Sequence, residues 1–190
     1  PARMAGLCID ITDRRRVEAE LQRSETRYRE LFENIDSGVA VYEVKDGGRD
    51  FIIKDFNRAG EEIDRVDRDQ IIGKSVFEVR PSIESFGLID VFRSVWKTGR
   101  PRSCPAALYR DERISNWYEN YVYRISPEEI VAVFRNVTER KKSEEALQAH
   151  EAQLKNAMKI ASLGHWELDV ESGQFTFSDE FYSIFRTTAE

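Results

Sequence analysis

Two cysteines and two histidines are the residues best suited to covalent or metal chemistry, and their spacing does not gather them. Cys8 and Cys104 lie far apart in unlike contexts, and neither belongs to a CxxC pair. His150 and His165 have no cysteine nearby. Ligand spacings for a structural zinc site are therefore missing, and no metal is expected. Both cysteines read as small, partly buried apolar residues. The lack of a disulfide framework fits a reducing compartment, and the segment is read as cytoplasmic. No nucleophile elbow, phosphate-cradling glycine loop or HExxH helix occurs. Carboxylates are plentiful, but they sit beside Arg and Lys on helix surfaces. That pattern makes solvated faces, not an acid–base pair. No catalytic residue is assigned, and the chain is not read as an enzyme.

The elements around these residues come from a chain of 190 residues with formal charge −6 and 41% hydrophobic residues. The apolar fraction is enough for a core. The acidic balance argues against a nucleic-acid partner, which would require a basic face. The longest apolar runs, such as Ile130 to Phe134, are about five residues, whereas a membrane span requires roughly 20. No membrane contact is expected of this segment. The chain opens at Pro1 without an initiator methionine and carries no visible signal peptide, which reads as a piece of a longer protein.

The sequence repeats itself at long range. Asp10-Ile11-Thr12-Asp13-Arg14 resembles Asn136-Val137-Thr138-Glu139-Arg140, 126 positions on (10 to 136). The offset persists through Leu21/Leu147, Gly38/Gly164, Gly47/Gly173 and Phe51/Phe177. A period this long means whole domains in tandem. The reading is the exit of one unit at 1–13, a linker helix at 14–35, a complete unit at 36–138, a second linker at 139–163 and the head of a third unit at 164–190. That last stretch lacks later strands to pair with, and is expected to be poorly folded or differently packed when isolated.

In the first linker Val17, Leu21, Ser24, Tyr28, Leu31 and Ile35 recur at spacings of 4, 3, 4, 3 and 4, a heptad seam. Thr12 or Asp13 can cap its start. Two readings stay open: pairing with a second copy to give a homodimer, or an amphipathic helix packed on its own domain. The second linker keeps the rhythm with Leu147, Leu154, Ala157 and Ala161, but places Ser143 and His150 on its seam.

Between the linkers the pattern predicts a strand at 38–44, a turn at Asp46-Gly47-Gly48 and a returning strand at 51–56. Asn57 can cap a short helix at 58–64. A turn and a further short helix follow around 71–77. Ser82 is expected to open a longer helix with Ile83, Leu88, Val91, Phe92, Val95 and Trp96 on one face, stopped by Gly99 and Pro101. Three strands, 102–109, 114–125 and 129–138, complete an α+β unit: a five-stranded antiparallel sheet with short helices on one face.

Several of these stretches resemble the PAS, or sensory-box, domain of bacterial and archaeal signalling proteins. They are Ser24 to Ile35, Phe56-Asn57-Arg58-Ala59, Ile71-Ile72-Gly73-Lys74-Ser75, Trp117-Tyr118-Glu119 and Val133 to Lys142. The resemblance implies the PAS fold and a sensing role in a multi-PAS parent, a sensor histidine kinase first and a cyclic-dinucleotide enzyme second. It also implies a small-ligand pocket between sheet and helices, for which Ile53, Phe77, Leu88, Phe92, Tyr121 and Val133 are candidates. A solid core that only sets dimer register is the alternative. The photoadduct cysteine of flavin-binding members is missing from the helical region. The full unit has no histidine for haem, and the context of a cysteine-linked hydroxycinnamoyl chromophore is missing too. No haem, flavin or other cofactor is expected. His150-Glu151 lacks the Thr-Pro continuation of a kinase phosphoacceptor box. Signal transmission is expected through Asn136, Thr138, Glu139 and Arg140 to the neighbouring unit and an output domain. Asn136 replaces the family's usual Asp, which weakens a charge-based relay.

Overall fold

A computed structural model describes residues 12–186. Most of the segment read as the exit of a preceding unit, including Cys8, lies outside the described residues. The chain divides after Val137 into two compact units.

In the first unit, α1 (Thr12–Asn34) leads into the hairpin β1 (Gly38–Lys45) and β2 (Asp50–Phe56). Asp46, Gly47 and Gly48 turn the hairpin with three successive positive φ angles. Four helices follow: α2 (Arg58–Asp64), α3 (Arg68–Ile71), α4 (Val76–Val79) and α5 (Leu88–Thr98). Then come β3 (Arg102–Arg110), β4 (Ser115–Ser126) and β5 (Glu129–Asn136). The antiparallel sheet has the order β2-β1-β5-β4-β3. The first strand thus pairs with the last, Gly38 opposite Phe134 and Glu43 opposite Glu129. Gly38 is required there, because a Cβ would lie 2.4 Å from the Phe134 ring.

Pleating sorts the strands into two faces. Ala40, Tyr42, Ile53, Tyr118, Val122, Ala132 and Phe134 face the helices and form the main core with Leu88, Ile89, Phe92 and Val95 of α5. Val39, Val41 and Val131 face the other way, joined by Phe32 from the end of α1 and bordered by Tyr123 and Val133.

Two expected boundaries are corrected. Ser82 does not open the long helix. Residues 81–87 are turns, and α5 starts at Leu88 after Gly87, whose φ is +84°. Ile83 is buried from outside the helix, and its five-residue gap to Leu88 does not match helical spacing. The last strand ends at Asn136, not Thr138. Val137 N–H still reaches Trp117 O at 2.8 Å.

In the second unit, α6 (Thr138–Ile160) has no buried residue among those described. A two-stranded hairpin, β6 (Trp166–Leu168) and β7 (Phe175–Phe177), precedes α7 (Asp179–Phe185). Ser178 caps α7, its hydroxyl accepting from Phe181 N–H. Trp166, Phe175 and Phe185 are all more than half exposed.

Candidate functional site

A cavity of about 40 Å³ lies between the inner face of the sheet and helices α2 to α5. Most of its wall is apolar, including Ile53, Val76, Leu88 and Ala132, but one side is polar: Asp64, Arg80, Tyr109, Tyr118 and Asn120.

Local structure sets each of these groups in place. Asn57 starts α2 by accepting from Gly60 N–H at 2.9 Å, and Asp64 then stands buried at the helix's last turn. Ser75 starts α4: its hydroxyl accepts from Phe77 N–H and donates to Asp50 at 2.6 Å. Arg80 then falls at the C-cap. In β4 the two-residue alternation turns Tyr118, Asn120 and Val122 inward.

Arg80 and Asp64 form a buried ion pair, their side chains 14% and 5% exposed. Tyr118 Oη donates to the other Asp64 oxygen at 3.1 Å. The Arg80 guanidinium lies 4.8 Å from the Tyr109 ring centroid and 5.3 Å from that of Tyr118, close enough for cation–π attraction. Tyr109 Oη donates to Asp111 at 2.9 Å. Asn120 is 6% exposed, and its Nδ2 has no hydrogen-bond partner among the described residues.

Burial governs the ionisation of the group. It pushes the Asp64 carboxyl up, with Arg80 pulling against it. Burial is the largest single effect on Arg80 and would lower it, but the charge and hydrogen bond of Asp64, with Tyr118 and Tyr109, together outweigh it and keep the guanidinium cationic. Burial, then the bond to Asp111, pushes Tyr109 up to about 12. Tyr42 and Tyr118 are also raised by burial. This wall offers hydrogen bonds, cation–π contacts and electrostatic orientation. It contains no nucleophile paired with a base, and no cluster of metal-ligating side chains occurs among the described residues.

Of the pocket residues expected from sequence, Ile53 and Leu88 line the cavity. Phe92 is fully buried, packed 5.0 Å from the Tyr42 ring and 5.2 Å from that of Phe51, and forms core rather than cavity wall. Phe77 packs against the core without reaching the cavity. Tyr121 and Val133 are corrections. Tyr121 is 46% exposed beside Tyr123, and Val133 borders the outer cluster. Each is one residue out of phase with the inward set, and one step along a strand changes the face. The polar wall is not predicted from the sequence. Its one sequence signal is Asn120, a polar residue between inward Tyr118 and Val122.

The seam positions Val17, Leu21, Tyr28, Leu31 and Ile35 are 43–66% exposed. Asn136 ends β5 opposite Tyr118, and Thr138, Glu139 and Arg140 form the first turn of α6.

No family profile and no curated protein match the sequence. Solved structures do match. A LOV protein from Rhodobacter sphaeroides is 14% identical with a TM-score of 0.52, over 69% of this chain and 76% of that one. The PAS domain of BvgS from Bordetella pertussis is 15% identical, TM-score 0.47, over 69% and 98%. A domain of a sensory box sensor histidine kinase/response regulator from Geobacter sulfurreducens is 16% identical, TM-score 0.47, over 60% and 96%. The first unit has the PAS fold.

Proposed function

We propose that the first unit is a signal-sensing PAS module, and that ligand binding in the cavity is relayed through the helical linkers to an output domain, a histidine kinase, outside this chain. The observation that supports sensing over a mere spacer is the polar wall of the cavity, with a buried donor unpartnered. A core built only to hold register would be filled with apolar side chains. Tyr118 and Asn120 of the polar wall stand on β4, which pairs with β5, and β5 is joined through Val137 to α6. A ligand favouring one arrangement of these strands shifts the population of linker states by its differential affinity. The protein works as a homodimer paired along α1, binds no nucleic acid and acts in the cytoplasm. No helix among the described residues is long and apolar enough to cross a membrane. In the second unit β6, β7 and α7 repeat the order of β1, β2 and α2, and we read them as the head of a following PAS unit.

The small cavity volume favours a second reading, a ligand-free spacer that sets dimer register. Native mass spectrometry of the purified chain separates the two. A dimer carrying added mass supports sensing; a dimer of bare sequence mass supports the spacer. The protein should be colourless, since no haem or flavin is expected, and an absorption band at a Soret or flavin position would overturn that part of the reading.

A further inference from the structure

We propose that the cavity's ligand is a compact, uncharged molecule bearing an acceptor oxygen and no obligatory donor: a small ketone, aldehyde or ester. This rests on the sensing reading above.

The acceptor follows from Asn120. Its amide is buried on the cavity wall, and Nδ2 finds no partner among the described residues. A buried donor left unpaired carries its full desolvation penalty, which an acceptor oxygen entering the cavity removes. The lack of a donor follows from the other polar groups. Asp64 already accepts from Arg80 and Tyr118. The Tyr118 and Tyr109 hydroxyl protons are committed to Asp64 and Asp111. Asp64, the charged acceptor on the cavity wall, therefore needs no further donor from a ligand.

Neutrality follows from the Arg80–Asp64 pair. Its charges cancel within the wall, so a carboxylate or ammonium entering beside it would be desolvated without a counter-charge. Size follows from the volume. A cavity of 40 Å³ has room for the centres of roughly three waters. Covalently linked atoms sit closer together than waters, so the ligand is a molecule of few heavy atoms. The remaining wall, Ile53, Val76, Leu88 and Ala132, is apolar and suits a short branched alkyl group.

Two probes of one skeleton test this: 3-methyl-2-butanone, uncharged, and isobutyrate, its anionic counterpart. Each is titrated into the full chain while backbone amide resonances are followed by NMR. The ketone should shift amides of residues 51–56, 118–122 and 130–134 saturably, and isobutyrate should bind at least about tenfold more weakly. Asn120→Leu should weaken the ketone about tenfold, the effect of one lost hydrogen bond, while its thermal midpoint stays equal or rises. Isobutyrate binding as tightly as the ketone, or ketone affinity unchanged in Asn120→Leu, overturns the ligand class but leaves sensing intact. If neither probe shifts these amides at any concentration, the ligand class is overturned, and the mass spectrometry above decides sensing on its own.

Discussion

The Asn57 side chain makes four hydrogen bonds from a fully buried position. Its Oδ1 accepts from Val39 N–H at 2.7 Å and Gly60 N–H at 2.9 Å; its Nδ2 donates to Phe32 O at 2.9 Å and Ser37 O at 3.0 Å. One amide therefore fastens the end of α1, the turn after it, β1 and α2. Asn57→Ala leaves four backbone groups unpaired at once and should destabilise the first unit by about 3 kcal/mol or more; urea unfolding followed by circular dichroism gives the value. Arg80 supports a second expectation. Arg80→Met strands the buried Asp64 charge and should cost about 3–5 kcal/mol, whereas Asp64→Leu with Arg80→Met should recover most of it. A double variant as unstable as the single would show that the pair is held by packing rather than charge. The capping role of Asn57 was legible, because an Asn ahead of a helical pattern has a local meaning. Its bonds to Phe32 and Ser37 were not, since they link residues 25 and 20 positions apart. The Asp64–Arg80 pair was hidden for the same reason: it joins two short helices whose closeness is a tertiary fact.

Packing of α1 on its own unit is confined to the end of the helix. Its last turn docks on its own unit: Phe32 is buried in the outer cluster, and Glu33 pairs with Arg68 at 2.8 Å. Upstream, Val17, Leu21, Tyr28 and Leu31 face solvent, and this is the stripe along which we propose that a second copy pairs. Leu21→Glu with Leu31→Glu should give monomers in sedimentation without loss of the sheet, since neither side chain joins the core; a parent sequence already monomeric at high concentration would end the pairing idea. At the other end, Thr138 opens α6, and Thr138→Ala should lower helix stability by about 1 kcal/mol if its hydroxyl caps the first turn. Hydrogen exchange at amides 139–146 measures this, and unchanged protection would remove Thr138 from the relay. Element type and order were legible throughout the first unit because turn residues punctuate it. Strand phase was less so. A run such as Ile130 to Phe134 is apolar on both faces, so alternation does not say which side holds the cavity. Tyr121 and Val133 were misplaced on that account.

Across the first unit, the tyrosines make stability depend on alkaline pH. Tyr42, Tyr109 and Tyr118 are all raised by burial, Tyr109 to about 12, against about 10 in an unfolded chain. The folded state therefore holds protons that the unfolded state releases. Stability should be fully present below pH ~10 and fall as pH climbs toward and past 12. Denaturant midpoints at pH 8, 10 and 11, read beside tyrosinate absorbance, check this; a midpoint unchanged over that range would contradict it. The five strands of this unit were legible one by one, while the pairing of its first strand with its last left no sequence mark. That pairing governs how the chain folds. β1 waits for β5, with Glu43 and Glu129 separated by most of the domain's length, and closing so long a loop is paid in entropy before any contact returns it. During synthesis the β1–β2 hairpin and all four helices leave the ribosome before Ile130, Ala132 and Phe134, the β5 side chains that complete the core. The sheet completes only when residues 129–136 emerge, so the unit folds in one late step, and any pause in translation before Glu129 holds it in a sticky, unfinished form.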